Sequence, residues 1–221
     1  MVVLIGGIKG GTGKSTIATN LAALREEKMQ QKNVLLVDTD DQGSTADWAY
    51  YRSEAGIDGI ECIQLFDKRI ISEIRTKKER YSDIIIDAGG RDSAELRHSM
   101  SVSDVMIVPV RASQYDLNTI DLVDEMVEQT KIINPELRVV AVINNFPNHS
   151  RLTEGTEAIE FLKKSENISV ADFIIHERIS FSRSGKEGLG VNEMKNDNGS
   201  LADPKAVAEL QKLYEVVYER I

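Results

Sequence analysis

Short apolar runs alternate with helical patterns along the chain. Seven runs rich in apolar residues predict strands at residues 2–5, 33–38, 60–66, 82–87, 104–110, 138–144 and 169–175. Three- and four-residue spacing of apolar positions predicts helices at residues 45–55, 115–130 and 153–164, and from residue 204 onward. The alternation predicts an α/β fold with a doubly wound, mostly parallel β-sheet flanked by helices. We expect residues 1–221 to form one domain.

Composition narrows the class of protein. The chain has 221 residues and a formal charge of −9, which argues against a protein that coats nucleic acid with its whole surface. Its single cysteine, Cys62, allows neither an internal disulfide nor a Cys-x-x-Cys metal site, so a reducing cytoplasm is the expected compartment. No secretory signal pattern is visible, and no apolar run approaches the roughly 20 residues that span a bilayer. We therefore expect a soluble protein without a membrane partner.

The richest pattern follows the first apolar run. A glycine-rich turn leads into Lys14-Ser15-Thr16, where a helical pattern starts. Such a loop points successive backbone N–H groups at one centre, where the helix N-terminus adds partial positive charge. Lys14 can neutralise outer phosphates, and the Ser15 hydroxyl can hold magnesium. The residues expected to bind the nucleotide here are Lys9, Gly10, Gly11, Thr12, Gly13, Lys14, Ser15 and Thr16.

Carboxylates follow two of the predicted strands. The strand at 33–38 ends in Asp38-Thr39-Asp40-Asp41-Gln42-Gly43, and the strand at 82–87 ends in Asp87. Carboxylates at the C-terminal ends of parallel strands beside a phosphate loop are placed to handle magnesium and water. We expect Ser15 and Asp87 to take part in a metal site, with the carboxylates at 38–41 close by.

The segment Lys9-Gly10-Gly11-Thr12-Gly13-Lys14-Ser15 resembles the deviant Walker A motif of the ParA/MinD family of ATPases. The resemblance implies that Lys9 reaches across a dimer interface to the partner's ATP, that Asp38 holds magnesium through water, and that Asp40 orients the attacking water. Lys9, Lys14 and Asp40 are thus the expected catalytic residues. The resemblance also assigns the adenine contact to Asn144, with Asn145 as an alternative; the other interpretation is that both are turn residues before a proline. Asp41 departs from the family, which usually has proline there, so we expect a more mobile loop.

Two charged surfaces are candidates for partners. Residues 178–195 carry four cations against two glutamates, and in the family this region contributes to non-specific DNA binding by the ATP dimer. The candidates are Arg178, Arg183, Lys186 and Lys195, with local salt bridges as the alternative. The outer side of the helix at 115–130 is acidic, and the candidates on it are Asp116, Asp121, Asp124, Glu125 and Glu128. A solvated face is the simpler interpretation, and a face for a basic adaptor is the other.

Taken with the resemblance, these features predict a ParA-type partition ATPase that uses ATP and Mg²⁺ and is similar to the short partition ATPases of plasmids and chromosomes. It would form an ATP-dependent homodimer, bind DNA non-specifically at the nucleoid, and hydrolyse ATP when a centromere-binding, ParB-type adaptor stimulates it. Two alternatives remain. One is a MinD-like or cargo-positioning ATPase, and the other is an ATP-dependent ligase for a small molecule.

Overall fold

A computed structural model describes residues 1–29, 33–148 and 152–219. Within them, seven strands form one sheet: β1 (Val2–Ile5), β2 (Val34–Asp38), β3 (Ile60–Gln64), β4 (Asp83–Asp87), β5 (Val105–Val110), β6 (Arg138–Phe146) and β7 (Ser169–His176). The spatial order is β3-β2-β4-β1-β5-β6-β7, and all neighbouring pairs are parallel. The predicted fold class is confirmed, and each predicted strand is present with its bounds shifted by at most two residues.

The helices cover both faces of the sheet. They are α1 (Lys14–Lys28), α2 (Ser44–Glu54), α3 (Arg69–Lys77), α4 (Ala94–Met100), α5 (Gln114–Leu117), α6 (Ile120–Lys131), α7 (Leu152–Leu162), α8 (Ile179–Lys186) and α9 (Pro204–Tyr218). The apolar residues of α3 to α7 bury one face of the sheet, and those of α1, α2 and α9 bury the other. Alternate residues of β1 enter the two cores, which explains why its sequence is apolar at every position.

The sheet order places the carboxyl ends of three strands side by side. β1 lies between β4 and β5, with Ile5 opposite Asp87 of β4, and Asp87 is in turn opposite Asp38 of β2. After β1 the chain forms β2 and β3 at one edge of the sheet and returns to the centre as β4. It then crosses to β5 on the other side of β1 and continues through β6 to β7 at the opposite edge. Loops diverge at such a reversal and leave a crevice at the C-terminal ends of the strands.

The prediction of one helix over residues 115–130 is wrong. Two helices, α5 and α6, occupy this stretch. Ser113 caps the start of α5 by accepting a hydrogen bond from the backbone N–H of Asp116 at 3.3 Å. At the junction of the two helices, Thr119 Oγ1 donates to the Asp116 carbonyl at 2.6 Å, a local bond that competes with a continuous helical ladder. Asp116 itself is buried, so it does not belong to the acidic outer face.

The sequence patterns also missed α4. This helix has seven residues, too few for an apolar repeat to stand out. Its N-cap is Ser93, whose side chain accepts a hydrogen bond from the backbone N–H of Leu96. It packs Leu96 and Met100 into the core on the α3 to α7 side.

Candidate nucleotide-binding site

The glycine-rich turn between β1 and α1 has the backbone of an anion cradle. Gly11 and Gly13 have φ angles of 71° and 91°, in the left-handed region that favours glycine. A Cβ on Gly13 would come within 2.4 Å of Asn144 Nδ2, so a side chain does not fit there either. Because α1 begins at Lys14, directly after Gly13, no side chain of the preceding residue caps its first N–H groups. These backbone N–H groups can therefore bind an anion.

Lys14 lies inside this cradle. Its ammonium group donates to the Lys9 carbonyl at 2.8 Å, and the residue is buried. Burial lowers the pKa of Lys14, while the nearby carboxylates of Asp87 and Asp40 act in the opposite direction. A buried ammonium group with few hydrogen-bond partners is strongly stabilised when it binds a phosphate oxygen.

Asp87 is almost completely buried beside the loop, with 1% of its surface exposed. Its Oδ2 accepts a hydrogen bond from Thr45 Oγ1 at 2.6 Å, whereas Oδ1 has no partner among the described residues. Burial raises the pKa of Asp87 to about 7, although hydrogen bonds from Thr45 and Ser15 act against the rise. An unpartnered oxygen beside a serine hydroxyl suits Mg²⁺, which binds oxygen ligands and keeps several of its own waters. Asp87 and Ser15 therefore fit the predicted metal site.

Asp38 lies next to Asp87 but already has several partners. Its Oδ1 accepts from the Asp40 N–H at 3.0 Å, and its Oδ2 accepts from the N–H groups of Thr45 and Ala46 at 3.1 and 3.0 Å. The carboxylate thus caps the N-terminus of α2 and fixes the loop that carries Asp40. Burial raises the pKa of Asp38. A carboxylate has further lone pairs and can still accept a hydrogen bond from a metal-bound water, so these partners leave Asp38 compatible with the predicted metal site.

Asp40 lies beside the glycine pair Gly89-Gly90, in the loop that follows β4. A Cβ on Gly89 would lie 3.3 Å from the Asp40 carboxylate, and a Cβ on Gly90 would overlap the Gly10 backbone at 2.7 Å. The loop after β4 therefore runs directly against the phosphate loop and places Asp40 beside both. Asp41, where the family usually has proline, forms an ion pair with Arg91 at 3.2 Å, and each side chain is 68% exposed. This pair links the loops that follow β2 and β4.

The Lys9 side chain contacts a carboxylate of its own chain. Its ammonium group lies 3.9 Å from the buried Asp116 carboxylate, and about half of its side chain (49%) is exposed. Sequence patterns missed Asp116 as a site residue, because the predicted continuous helix placed it on the outer surface.

The two candidates for the base contact, Asn144 and Asn145, lie in different environments. Asn144 is 3% exposed, and its Nδ2 donates to the Thr12 carbonyl at 2.6 Å, so this side chain supports the phosphate loop. Asn145 instead lies on the wall of an open cleft of about 870 Å³ that starts beside Thr16 and also includes Pro147. Of the two candidates, Asn145 is the one that borders the cleft.

Arg111 also borders this cleft, and sequence reasoning did not single it out. Its guanidinium donates to the Gly11 carbonyl of the phosphate loop. Its position in the sequence could have identified it, because Arg111 directly follows β5, the strand beside β1. The same position, at the carboxyl end of a central strand, identified Asp38 and Asp87.

The four cations of the predicted DNA patch do not act alike. Arg178 donates two hydrogen bonds to the Glu209 carboxylate, at 3.0 and 2.5 Å, so it is held inside the fold. Lys195 donates to the Asn192 carbonyl at 3.1 Å. Arg183 and Lys186 are exposed and lie three residues apart on α8, which places them on the same side of that helix.

Similarity to known proteins agrees with this geometry. A family model described as the CobQ/CobB/MinD/ParA nucleotide binding domain matches residues 3–191. The chain belongs to this family. A relative called maintenance of carboxysome distribution protein A, from Gloeobacter kilaueensis, is 30% identical over 204 residues, which cover 91% of this chain and 89% of that protein.

Solved structures of this nucleotide-binding family share the fold. McdA of Cyanothece without nucleotide superimposes with a TM-score of 0.77 at 15% identity, covering 98% of both chains. A plasmid partition protein from Borrelia burgdorferi superimposes with a TM-score of 0.70 at 20% identity, covering 100% of this chain and 98% of that one. The recognised ParA/MinD resemblance and the parallel sheet are thereby confirmed. Among the described residues, no helix combines the length and the apolar character needed to cross a membrane.

Proposed function

We propose that this family member is a magnesium-dependent ATPase that works as a switch between a monomer and an ATP-bound homodimer. One observation carries the proposal. The unpartnered Oδ1 of Asp87 and the buried ammonium group of Lys14 lie at the open N-terminus of α1. The two groups are suited to opposite charges, the carboxylate to a metal ion and the ammonium group to a phosphate, so Mg-ATP satisfies both at once.

Each residue of the site has a separate task in this proposal. The N–H groups of the phosphate loop and the Lys14 ammonium group bind phosphate oxygens. Ser15 and Asp87 hold magnesium, which when bound neutralises charge on the outer phosphates. Asp40 orients the attacking water from its place beside Gly89, and Asp38 keeps that loop in position. Positioning and charge neutralisation of this kind account for most of the catalysis in phosphoryl transfer.

Dimerisation requires Lys9 to exchange partners. In the single chain its ammonium group is near Asp116, and in the dimer it binds the phosphates of the other subunit's ATP. Because half of the Lys9 side chain is exposed, its ion pair with Asp116 restrains the residue only modestly, by up to about 1 kcal/mol, and Lys9 can leave it to bind the other subunit's nucleotide.

The switch is tested by light scattering with Mg-ATP. We expect the wild-type protein to form a dimer transiently and Asp40→Ala to form one that persists, since it binds ATP without hydrolysing it. Lys14→Ala should stay monomeric, because it loses the main phosphate contact. If Asp40→Ala hydrolyses ATP at the wild-type rate, the assignment of Asp40 is wrong.

We further propose that the ATP dimer binds duplex DNA non-specifically and that an adaptor bound to a centromere stimulates hydrolysis, which drives DNA partition. The exposed pair Arg183 and Lys186 supports this proposal, and a dimer doubles the number of cations. The test is retention of plain duplex DNA at several salt concentrations. Arg183→Ala/Lys186→Ala should reduce the slope of log affinity against log salt by about 2 per subunit.

A matched control separates local contacts from net charge. Arg75→Ala/Lys212→Ala also removes two exposed cations, from α3 and α9, and should leave DNA retention close to that of the wild-type protein. Equal loss in both double variants would mean that total charge, and not the α8 pair, governs binding. No ATP-dependent retention in the wild-type protein would contradict DNA binding as a whole.

Positioning of a protein cargo is the second candidate. The relative from Gloeobacter kilaueensis is named for carboxysome distribution, and the Cyanothece structure is also of an McdA. The adaptor distinguishes the two functions. Stimulation of the ATPase by a neighbouring-gene protein that binds a specific DNA site favours partition, whereas stimulation by a protein that coats a protein assembly favours cargo positioning.

A further inference from the structure

Arg111 lies at the mouth of the cleft beside the phosphate loop and has no acidic partner among the described residues. The residue is exposed, it borders the cleft together with Thr16 and Asn145, and its guanidinium donates to the Gly11 carbonyl. Among the described residues, no ion pair includes Arg111. Its only described contact with the phosphate loop is therefore a neutral carbonyl.

The other cations near the cleft have carboxylates close by. Lys9 lies near Asp116, and Arg178 is bound through two N–H groups to Glu209. Lys14 lies in the field of Asp87 and Asp40. Arg111 thus contributes a positive charge that nothing in the described part of the chain neutralises at short range.

A guanidinium stays charged at any physiological pH and has five N–H donors arranged in a plane. The Gly11 carbonyl uses one of them, so the others can bind a second group while the first contact persists. Planar donors of this kind match the oxygens of phosphate groups, and the loop that Arg111 contacts is itself built around an anion site.

We propose that Arg111 binds the phosphate chain of the nucleotide directly. One N–H holds the Gly11 peptide, and the remaining donors bind phosphate oxygens. The ligand is the polyphosphate part of the nucleotide and not the base. The proposal rests on the proposed function in one respect, namely that a nucleoside triphosphate is the ligand of the loop.

Competition against a fluorescent ATP analogue tests the assignment, with tripolyphosphate and adenosine as separate competitors in the presence of Mg²⁺. Arg111→Ala should weaken ATP and tripolyphosphate about 10- to 100-fold, which is the usual effect of losing hydrogen bonds to a charged group. Adenosine should compete as it does with the wild-type protein. Arg111→Lys should recover only part of the loss, since a lysine keeps the charge but cannot hold Gly11 and a phosphate in one plane.

Arg75→Ala is the matched control, because it removes an exposed arginine from α3 and changes the net charge equally. A thermal melt shows whether each variant is folded. Unchanged competition by tripolyphosphate in Arg111→Ala overturns the proposal. Equal weakening of adenosine and tripolyphosphate also overturns it, since Arg111 would then only shape the cleft. If the wild-type protein binds no ATP analogue, the proposed function fails first, and the two failures are therefore distinguishable.

Discussion

Replacing Asp87 by asparagine should stabilise the protein while it removes the metal site. The native structure keeps this carboxylate 1% exposed, and burial raises its pKa from 3.8 to about 7. Each pKa unit corresponds to about 1.4 kcal/mol, so ionised Asp87 costs the folded state about 4 kcal/mol at about pH 8. Asparagine has no charge to bury, and its carbonyl can still accept from Thr45.

The sign of the pH dependence follows from the direction of this shift. Below about pH 4 the carboxyl is neutral in both the folded and the unfolded chain, so the substitution does not raise the free energy of unfolding. Between about pH 4 and pH 7 the unfolded chain releases a proton that the folded chain keeps, and the gain grows by about 1.4 kcal/mol per pH unit. Above about pH 7 the gain in the free energy of unfolding is constant. Lys14 loses the carboxylate that most raises its pKa, which keeps the gain below the full 4 kcal/mol.

Urea unfolding in EDTA, without nucleotide, measures this gain through the fluorescence of Trp48. The chain has one tryptophan, and it is buried against the loop after α8, where its Nε1 donates to the Leu189 carbonyl at 3.1 Å. Glu128→Gln, an exposed site on α6 with the same charge change, should shift the free energy of unfolding by less than about 0.5 kcal/mol. The reasoning is refuted if Asp87→Asn is no more stable than the wild-type protein at about pH 8, or if its gain does not fall toward pH 4.

Three further predictions concern other parts of the chain. Burial raises the pKa of the Cys62 thiol to about 12, so at about pH 8 it should react with a disulfide reagent about 1000-fold more slowly than an unperturbed thiol; equal rates in the native and the urea-unfolded protein would contradict this. Gly188→Ala should destabilise the fold by about 1–3 kcal/mol in urea, because its Cβ would lie 2.2 Å from the backbone of α2. Gly199→Ala, which also has positive φ but open space around it, is the control, and an equal loss there would rule out the collision. Asp116→Asn should free Lys9 and lower the protein concentration needed for the ATP dimer; a dimer that forms no more readily would show that the contact does not restrain Lys9.

Local patterns in the sequence determined the fold class and the phosphate loop. A strand, a glycine-rich turn and a helix start are contiguous, so residues 2–20 reveal the loop without any distant contact. Apolar runs located the seven strands, because a parallel strand buried on both faces must be apolar at nearly every position. Asp38 and Asp87 were likewise found from their place at strand ends.

Only the tertiary structure decided which partner each side chain has. Asp116 is buried, although helical periodicity places it on the acidic outer side of one continuous helix. Asn144 supports the loop while Asn145 borders the cleft, and adjacent letters carry no sign of that difference. Arg111 meets Gly11 across 100 positions of chain. Such contacts depend on how strands are ordered in the sheet, and periodicity, which records only which face of an element is buried, does not encode that order.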